Sequence, residues 1–185
     1  MTVLSDVSIL EILHDVVKPY REEYVNPASI DLTISGHYID RLDNREYVEE
    51  SITLQPRSVI KDYVYLIRKK ICIMFGMIPP KHVPSSILAT TIEYVNLPSD
   101  IAGDVKLKSS RAREGWDHAL AGWIDPGFNG QITLELHCHR RVSISARSPF
   151  CQIVLHNVDR KVAFAYDGGY QHQSGPTRSY HEENI

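Results

Sequence analysis

The sequence contains few cysteines and no clustered pair of them. Its 185 residues include only three, Cys72, Cys138 and Cys151, and none forms a C-x-x-C pair. This spacing argues against a disulfide framework and against a zinc knuckle, and it favours buried thiols on strands. We therefore expect a protein of a reducing compartment, the cytoplasm.

Long apolar runs are also missing. Charged residues interrupt every apolar stretch well before the roughly 20 residues that a membrane span needs. Glu11, His14 and Asp15 stand where a signal peptide would be apolar. We expect no membrane partner.

The chain has no excess of basic residues. There are 20 Lys and Arg against 23 Asp and Glu, and the formal net charge is −3. A nucleic-acid backbone is held by a positive field, so this balance disfavours a polymeric nucleic-acid partner. The sequence also lacks three common enzyme motifs. These are the Walker loop of P-loop NTPases, the G-x-G-x-x-G of dinucleotide-binding enzymes and the G-x-S-x-G of α/β-hydrolases.

The chain has the length of one domain, and 43% of its residues are hydrophobic, which is enough to form a core. Apolar residues at helical spacing predict one short helix that begins at Ser5 or Asp6 and ends before Pro19. Short runs rich in β-branched and aromatic residues then predict strands. These runs are Ile30 to Ile34, Tyr63 to Ile73, Ile87 to Val95, Gln131 to Leu136, Ser143 to Ser145, Gln152 to Leu155 and Lys161 to Tyr166.

Many short strands with no helix between them predict a mainly β fold, namely a sandwich, a jelly roll or a barrel. We expect a single domain over residues 1–185. The tail, residues 167–185, is rich in Gly, Gln and Ser. It is either a disordered terminus or an arm that orders over a ligand, and composition alone leaves both open.

Three stretches have a composition that suggests chemistry. Lys108 to Arg113 places two serines among three cations after a strand, as a phosphate site requires, although a solvated basic turn has the same composition. Ala121 to Gly130 contains three glycines, a Pro-Gly turn and an Asp beside aromatic residues, which suits a flat heterocycle or a plain hairpin. Thr133 to His139 alternates polar and apolar residues.

The alternation in the third stretch puts Glu135, His137 and His139 on one face of a strand. One carboxylate and two imidazoles could bind a catalytic zinc, but they could equally be solvated side chains. The zinc deaminase signature, H-x-E followed by P-C-x-x-C, is absent. We therefore expect no functional zinc.

Taken in order, these stretches resemble the dCTP deaminase branch of the dUTPase-like superfamily. The resemblance is weak before residue 85 and good after it. It rests on Asn26 to Leu32, Leu88 to Glu93, Leu97-Pro98, Ser109 to Arg113, Ala121 to Gly130, Thr133 to Leu136, Gln152 and Tyr170 to Ser179.

The resemblance implies a distorted jelly-roll or β-barrel of the dUTPase-like type, with a mobile C-terminal arm over residues 167–185. It implies a homotrimer with active sites between subunits, acting on dCTP or dUTP. Glu135 would be the general base of a zinc-independent, hydrolytic deamination, because one carboxylate can carry protons from water to N3 and to the leaving amine. Ser109 and Arg113 would pair with Glu135 and position the water.

The same resemblance implies the nucleotide-binding residues. The backbone from Ala121 through Gly122 to Trp123 would read the pyrimidine, and Mg²⁺ would bind through the triphosphate. The remaining nucleotide-binding residues would be Lys108, Ser110, Arg113, Asp125, Gln152, Tyr170, Gln173 and Arg178. Asp125 also matches the aspartate that aims water at the α-phosphate in dUTPases.

The sequence departs from the family pattern at a few positions. Gly169 precedes Tyr170 where the arm usually has a basic residue, which favours deamination as the main activity with phosphate cleavage slow or absent. Leu120 replaces a threonine and leaves the response to thymidine nucleotides open. Ala146-Arg147 stands in place of a Pro-Gly turn, and Arg111 in place of an apolar residue.

The first hypothesis is therefore a dCTP deaminase that forms dUTP and ammonia. The alternatives are a bifunctional enzyme that forms dUMP, a dUTP diphosphatase, and a nucleotide-sensing module without turnover. Glu135, Ser109 and Arg113 occur together, which argues against the sensor because binding alone needs no general base.

Overall fold

The computed structural model describes residues 2–119 and 121–181. Three α-helices and a 3-10 turn, Glu22–Tyr24, accompany thirteen strands. The helices are α1 (Asp6–Val16), α2 (Val59–Met74) and α3 (Ser109–Glu114). The strands are β1 (Thr2–Val3), β2 (Val17–Lys18), β3 (Val25–Asn26), β4 (Ser29–Asp40), β5 (Arg45–Val48), β6 (Ser51–Leu54), β7 (Ser86–Asn96), β8 (Ile101–Leu107), β9 (Trp116–His118), β10 (Trp123–Ile124), β11 (Asn129–Cys138), β12 (Val142–Ser145) and β13 (Pro149–Asn157).

Eleven of the strands form one curled antiparallel sheet. Its main path runs β10-β8-β13-β4-β7-β11-β9, with β1, β2, β3 and β5 paired at its sides, and β12 pairs with β6 in a separate ribbon. Neighbours in this order are distant along the chain, as in a jelly roll. The mainly β architecture that we predicted is confirmed.

Alternating residues of the four central strands build the core. Leu32, Ala89, Leu134 and Leu155 are each fully buried, and they come from β4, β7, β11 and β13. On β11 the alternation is regular, so the residues between the buried ones are less covered and are available to a site. Five of the predicted strands lie inside β4, β7, β11, β12 and β13.

A buried carboxylate ties two central strands together. Glu93 on β7 accepts hydrogen bonds from Thr33 N at 2.9 Å and Thr33 Oγ1 at 2.6 Å. Burial raises the pKa of Glu93 even though these bonds from Thr33 act in the opposite direction. Glu93, which belongs to the stretch that resembles the family, therefore contributes to the cohesion of the sheet.

The predicted N-terminal helix is confirmed as α1, which buries Ile9, Leu13 and Val16 against the sheet. Ser5 is its N-cap residue but makes no side-chain cap bond. Asp6 Oδ1 instead accepts the N–H of Val7 at 2.9 Å.

The strand predicted over Tyr63 to Ile73 is wrong, because this segment belongs to the 16-residue helix α2. Ser58 caps the helix by accepting the N–H of Lys61. The helix buries Asp62 and Tyr65, whereas Ile60, Ile67 and many of its other apolar residues are exposed. The helix therefore faces the protein with polar side chains and faces outward with apolar ones. This is the reverse of the usual pattern, in which apolar residues are buried.

The last predicted strand is also wrong. Residues 161–166 form no strand, and single hydrogen bonds tie the segment to two loops: Val162 N donates to Ser99 O and Tyr166 N donates to Pro126 O, both at 2.9 Å. Phe164 is 92% exposed, so the apolar residues that suggested a strand do not all enter the core.

Two of the three cysteines are buried on strands, as we expected. Cys138 and Cys151 are buried on β11 and β13, and burial raises the pKa of each thiol. Cys72 is only half-buried and lies on α2 rather than on a strand. None of the helices in residues 2–119 and 121–181 is long and apolar enough to cross a membrane.

Candidate active site

A cavity of about 460 Å³ is lined by β11, the turn after β10 and the C-terminal arm, residues 167–181. This volume suits a small-molecule ligand. Most of its wall is apolar or aromatic, with a few charged groups that converge on it. The lining residues are Arg41, Leu88, Ala121, Trp123, Ile124, Asp125, Phe128, Ile132, Thr133, Glu135, Tyr166, Tyr170, Gln173, Thr177, Arg178 and Ser179.

Glu135 reaches this cavity from β11. Its neighbours Leu134 and Leu136 are fully buried, so strand alternation turns Glu135 to the opposite face. Its side chain is 31% exposed, yet the Oε2 atom is buried and has no hydrogen-bond partner among the described residues. A buried carboxylate oxygen without a partner is costly unless a ligand or a proton supplies one.

His118 lies close to that oxygen. Its Nε2 lies 3.5 Å from Glu135 Oε2, and it too lacks a hydrogen-bond partner in the described part of the chain. The His118 side chain is only 7% exposed. Sequence reasoning missed His118, because the contact arises from the pairing of β9 with β11, in which His118 lies opposite Leu136.

Asp125 reaches the same cavity from a tight turn. The indole Nε1 of Trp123 donates to Asp125 Oδ1 at 3.0 Å, and Phe128 N donates to Asp125 O at 3.2 Å. Gly127 has φ 92°, and a Cβ there would lie 2.6 Å from the Cβ of Ala165. Glycine is therefore required for the turn and for the close approach of the segment that leads into the arm.

The arm lies along β11 through a series of hydrogen bonds. Gln173 O accepts the N–H of Gln131 at 3.0 Å, and Gly175 N donates to Gln131 Oε1 at 2.7 Å. Farther on, Thr177 N donates to Thr133 Oγ1 at 3.1 Å. This path brings Tyr170, Gln173 and Arg178 to the cavity, together with Asp125 and Glu135. Residues 182–185 lie outside the described part of the arm.

Two arginines supply positive charge at the cavity, Arg41 from the end of β4 and Arg178 from the arm. Sequence reasoning included Arg178 but missed Arg41, since no local motif surrounds Arg41.

Gly169, which stands where the family usually has a basic residue, faces Tyr180. A Cβ at Gly169 would lie 2.8 Å from Tyr180 Cδ2. A side chain at this position would therefore require Tyr180, which is exposed, to move.

Other predicted site residues do not line the cavity. Ser109, Ser110 and Arg113 are exposed on α3. Lys108 forms an ion pair with Asp31, and Gln152 lies opposite Asp31 in the pairing of β13 with β4. Among the described residues, no hydrogen bond or ion pair joins Ser109 or Arg113 to Glu135. One chain therefore carries two separate groups of the predicted residues.

Gly122 lies between two lining residues and is not itself on the cavity wall. Its carbonyl accepts the N–H of Val105 at 2.8 Å, and a Cβ there would lie 2.3 Å from Val105 O. Gly122 therefore lets β10 approach β8, while Ala121 and Trp123 reach the cavity. Leu120, which replaces the family's threonine two residues before Gly122, lies outside the described residues.

The three side chains considered for zinc do not converge. His137 Nε2 and His139 Nε2 lie 3.0 and 3.4 Å from Asp117 Oδ2, whereas Glu135 faces His118. Within residues 2–119 and 121–181, no group of three or more His, Cys, Asp and Glu side chains could hold a metal ion.

The sequence comparisons identify the family. A family model described as dCTP deaminase-like matches residues 3–158. The chain belongs to this dCTP deaminase-like family. A relative from Aquifex aeolicus, "dCTP deaminase, dUMP-forming", is 30% identical over 99% of this chain and 98% of its own length. A "dCTP deaminase" from Pyrococcus abyssi is 30% identical over 84% of this chain and 85% of its own.

A solved structure agrees with this membership at the level of the fold. The 2'-deoxycytidine 5'-triphosphate deaminase from Agrobacterium tumefaciens matches with a TM-score of 0.59 and 17% identity. The match covers 84% of this chain and 48% of that chain, so the chain spans about half the length of that structure. The family resemblance recognised from the sequence motifs is confirmed.

Proposed function

We propose that this member of the dCTP deaminase-like family hydrolyses dCTP to dUTP and ammonia. The observation that supports the proposal is Glu135 in the cavity, with a buried oxygen that lacks a partner and an imidazole 3.5 Å away. A pyrimidine in this cavity would place its reacting carbon near a carboxylate that is available to accept a proton. Two relatives that match over most of the chain carry the name dCTP deaminase.

The proposed reaction needs only proton transfers and the addition of water. Glu135 takes a proton from a water that adds to C4 of cytosine, and delivers that proton to N3. Glu135 then takes the second proton from the new C4 hydroxyl and gives it to the amino group, so that the C4–N4 bond breaks, the C4 carbonyl forms and ammonia leaves. Glu135 carries both protons, so zinc is not part of the proposal.

The triphosphate would extend towards the positive charge at the cavity. Arg41 and Arg178 line the cavity and can neutralise phosphate oxygens, with Mg²⁺ arriving as part of the magnesium–nucleotide substrate. Tyr170 and Gln173 from the arm would cover the nucleotide. The nucleotide-binding roles of Lys108, Ser110 and Gln152 belong to the second group of residues, which one chain does not bring to its own cavity.

We propose that a neighbouring copy supplies this second group. Ser109 and Arg113 are exposed on α3, whereas the family resemblance implies that they pair with Glu135 and position the attacking water. A homotrimer in which α3 of one subunit approaches the cavity of the next would complete three equivalent sites. Light scattering should give the mass of a trimer, and a fully active monomer would contradict this assembly.

The decisive assay incubates dCTP and dUTP separately and quantifies ammonia and pyrophosphate. Ammonia from dCTP supports the proposal, and its absence with the magnesium salt overturns it. Glu135→Gln is the matched variant because the amide keeps the shape but does not accept the proton. It should retain nucleotide binding and lose ammonia release by about two orders of magnitude or more.

A second candidate is that the same site also cleaves the triphosphate and forms dUMP. It is favoured by the position of Asp125, which lines the same cavity as Glu135. The Aquifex aeolicus relative is named dUMP-forming. The absence of a basic side chain at Gly169 argues against cleavage, but Arg41 and Arg178 supply positive charge at the cavity.

A single turnover of dCTP separates the two candidates. Accumulating dUTP means that deamination is the only reaction. Pyrophosphate and dUMP without free dUTP mean that both reactions occur in one site.

A further inference from the structure

The turn between β4 and β5, residues 41–44, contacts both α2 and the C-terminal arm. On one side Asp43 is held by residues of α2, and on the other Asn44 binds Arg178 of the arm. Arg41, at the start of the same turn, lines the cavity. The turn therefore connects a helix outside the candidate active site to a cation at its rim.

Asp43 is the residue through which α2 holds the turn. Its side chain is fully buried, and its Oδ2 accepts hydrogen bonds from Tyr65 Oη at 2.6 Å and Lys69 Nζ at 3.2 Å. Burial alone would raise the pKa of Asp43, but the bonds from Tyr65 and Lys69 hold it below its ordinary value. Asp43 is thus a charged group fixed in one position by the inward face of α2.

A second carboxylate stabilises the same turn. Asp40 accepts the N–H of Leu42 at 2.9 Å through Oδ1 and lies 2.8 Å from His82 Nδ1 through Oδ2. The His82 ring stacks on Tyr65 with 4.4 Å between the ring centroids. Asn44 N also donates to Asp40 O at 2.9 Å. The position of Asn44 is therefore determined from both ends of the turn.

Asn44 presents two acceptors to Arg178. Arg178 Nε donates to Asn44 Oδ1 at 2.7 Å, and Nη2 donates to Asn44 O at 3.2 Å. Asn44 has φ 56°, a left-handed conformation that Asn tolerates better than most residues. Two of the five N–H donors of the guanidinium are used in this way, and the others are available for an anion.

From this geometry we infer that Asn44 is a positioning residue for Arg178. It holds the guanidinium of the arm at the rim of the cavity before substrate binds, and α2 sets the position of Asn44 through Asp43. This arrangement accounts for the inward polar face of α2. The effect on substrate rests on the proposed function, whereas the effect on the arm does not.

Trypsin measures the contact without any nucleotide, because Arg178 is itself a cleavage site. A guanidinium bound to Asn44 is not free to enter the protease, so cleavage after Arg178 reports how often the contact opens. Cleavage after Arg160, whose side chain is 87% exposed, provides an internal reference. Mass spectrometry distinguishes the two products.

Two substitutions at Asn44 form a matched pair. Both Asn44→Gly and Asn44→Asp suit the positive φ, but only glycine lacks the side-chain acceptor. We expect Asn44→Gly to speed cleavage after Arg178 about tenfold, as expected for the loss of one charge-assisted hydrogen bond. Asn44→Asp should stay close to wild type, and cleavage after Arg160 should not change in either variant.

The contribution of α2 is tested by Tyr65→Phe, which keeps the ring and removes the hydroxyl donor to Asp43. Lys70→Met is its control, since Lys70 is exposed on the same helix. Tyr65→Phe should also speed cleavage after Arg178, and Lys70→Met should not. Equal cleavage rates in wild type, Asn44→Gly and Tyr65→Phe would overturn the inference.

Kinetics then links the contact to substrate. With dCTP, Asn44→Gly should raise KM about tenfold and leave kcat within about twofold, because the arm binds phosphate and does not transfer protons. A fall in kcat with KM unchanged would contradict a positioning role. If dCTP is not a substrate at all, the proposed function fails, and the proteolysis still decides whether Asn44 holds Arg178.

Discussion

His118 Nε2 lies 3.5 Å from Glu135 Oε2, and neither atom has a hydrogen-bond partner among the described residues. At that distance a small movement of either side chain makes a hydrogen bond, and such contacts often tighten when substrate binds. In the mechanism that we propose, His118 would orient Glu135 and stabilise its charge between the two proton transfers.

Replacing His118 should therefore slow the chemical step. We expect His118→Phe to lower kcat by about ten- to a hundredfold with a small change in KM, and His118→Gln, which keeps a donor, to recover part of the loss. His137→Gln is the control, because His137 lies next on the outward face of β11 and contacts Asp117 instead. Wild-type turnover in His118→Phe would remove His118 from the mechanism.

Asp125→Asn should separate the two candidate reactions. The amide still accepts the indole N–H of Trp123, so the turn should keep its shape. Ammonia release should stay within a few-fold of wild type, because Glu135 is untouched. Any pyrophosphate release should fall by about two orders of magnitude, since Asn is a poor base for the attacking water.

Product analysis under single-turnover conditions checks this prediction. Loss of ammonia and pyrophosphate together would mean that Asp125 shapes the site for deamination as well. Pyrophosphate release that persists in Asp125→Asn would mean that another group activates the water.

The charge on Asp43 should stabilise the protein in a pH-dependent manner. Folding lowers the pKa of Asp43, so the folded protein binds this proton less readily than the unfolded chain does. The stabilisation is complete above the unfolded-state pKa of about 3.9 and is lost as pH falls through the lower pKa of the folded protein.

Asp43→Asn tests this by removing the charge and keeping an acceptor. We expect the variant to have a free energy of unfolding lower by about 2 kcal/mol at pH 7, and the difference from wild type to shrink below pH 4. Urea denaturation at a fixed protein concentration measures both values. A difference that is constant with pH would show that the charge of Asp43 does not contribute.

The strands and the residues of the cavity could be predicted where the local residue pattern agrees with which side chains the folded protein buries. On β11, the alternating pattern predicts that Glu135 points to one side of the strand and that Leu134 and Leu136 point to the other. The burial pattern of β11 confirms this prediction. The Pro-Gly turn at Asp125 and the arm with Tyr170 also carry local signals that do not depend on distant parts of the chain.

The helix α2 and two of the charged residues at the site could not be predicted in this way. The β-branched and aromatic residues of Tyr63 to Ile73 favour a strand locally, but Ser58 caps a helix and Asp43 binds its polar face. Arg41 and His118 reach the site only through strand pairing across the sheet. No local spacing encodes those contacts, because their partners are distant in sequence.

Within one chain, Glu135 lines the cavity and Arg113 does not. If one subunit supplies Glu135 and its neighbour supplies Arg113, two inactive variants should complement each other in mixed trimers. Glu135→Gln and Arg113→Gln should each lose ammonia release when expressed alone. Co-expressed in equal amounts with different tags, they should form trimers in which some interfaces combine an intact Glu135 with an intact Arg113.

The size of the rescue follows from the geometry of a closed trimer. Each site needs one particular variant on each side, and a mixed trimer has one such interface among its three, so about a third of the sites in doubly purified mixed trimers should be intact. Ammonia release from doubly purified mixed trimers, compared with each variant alone, measures this fraction. If both residues acted within one subunit, no mixed trimer would contain an intact site and no activity would return, which would contradict the shared site.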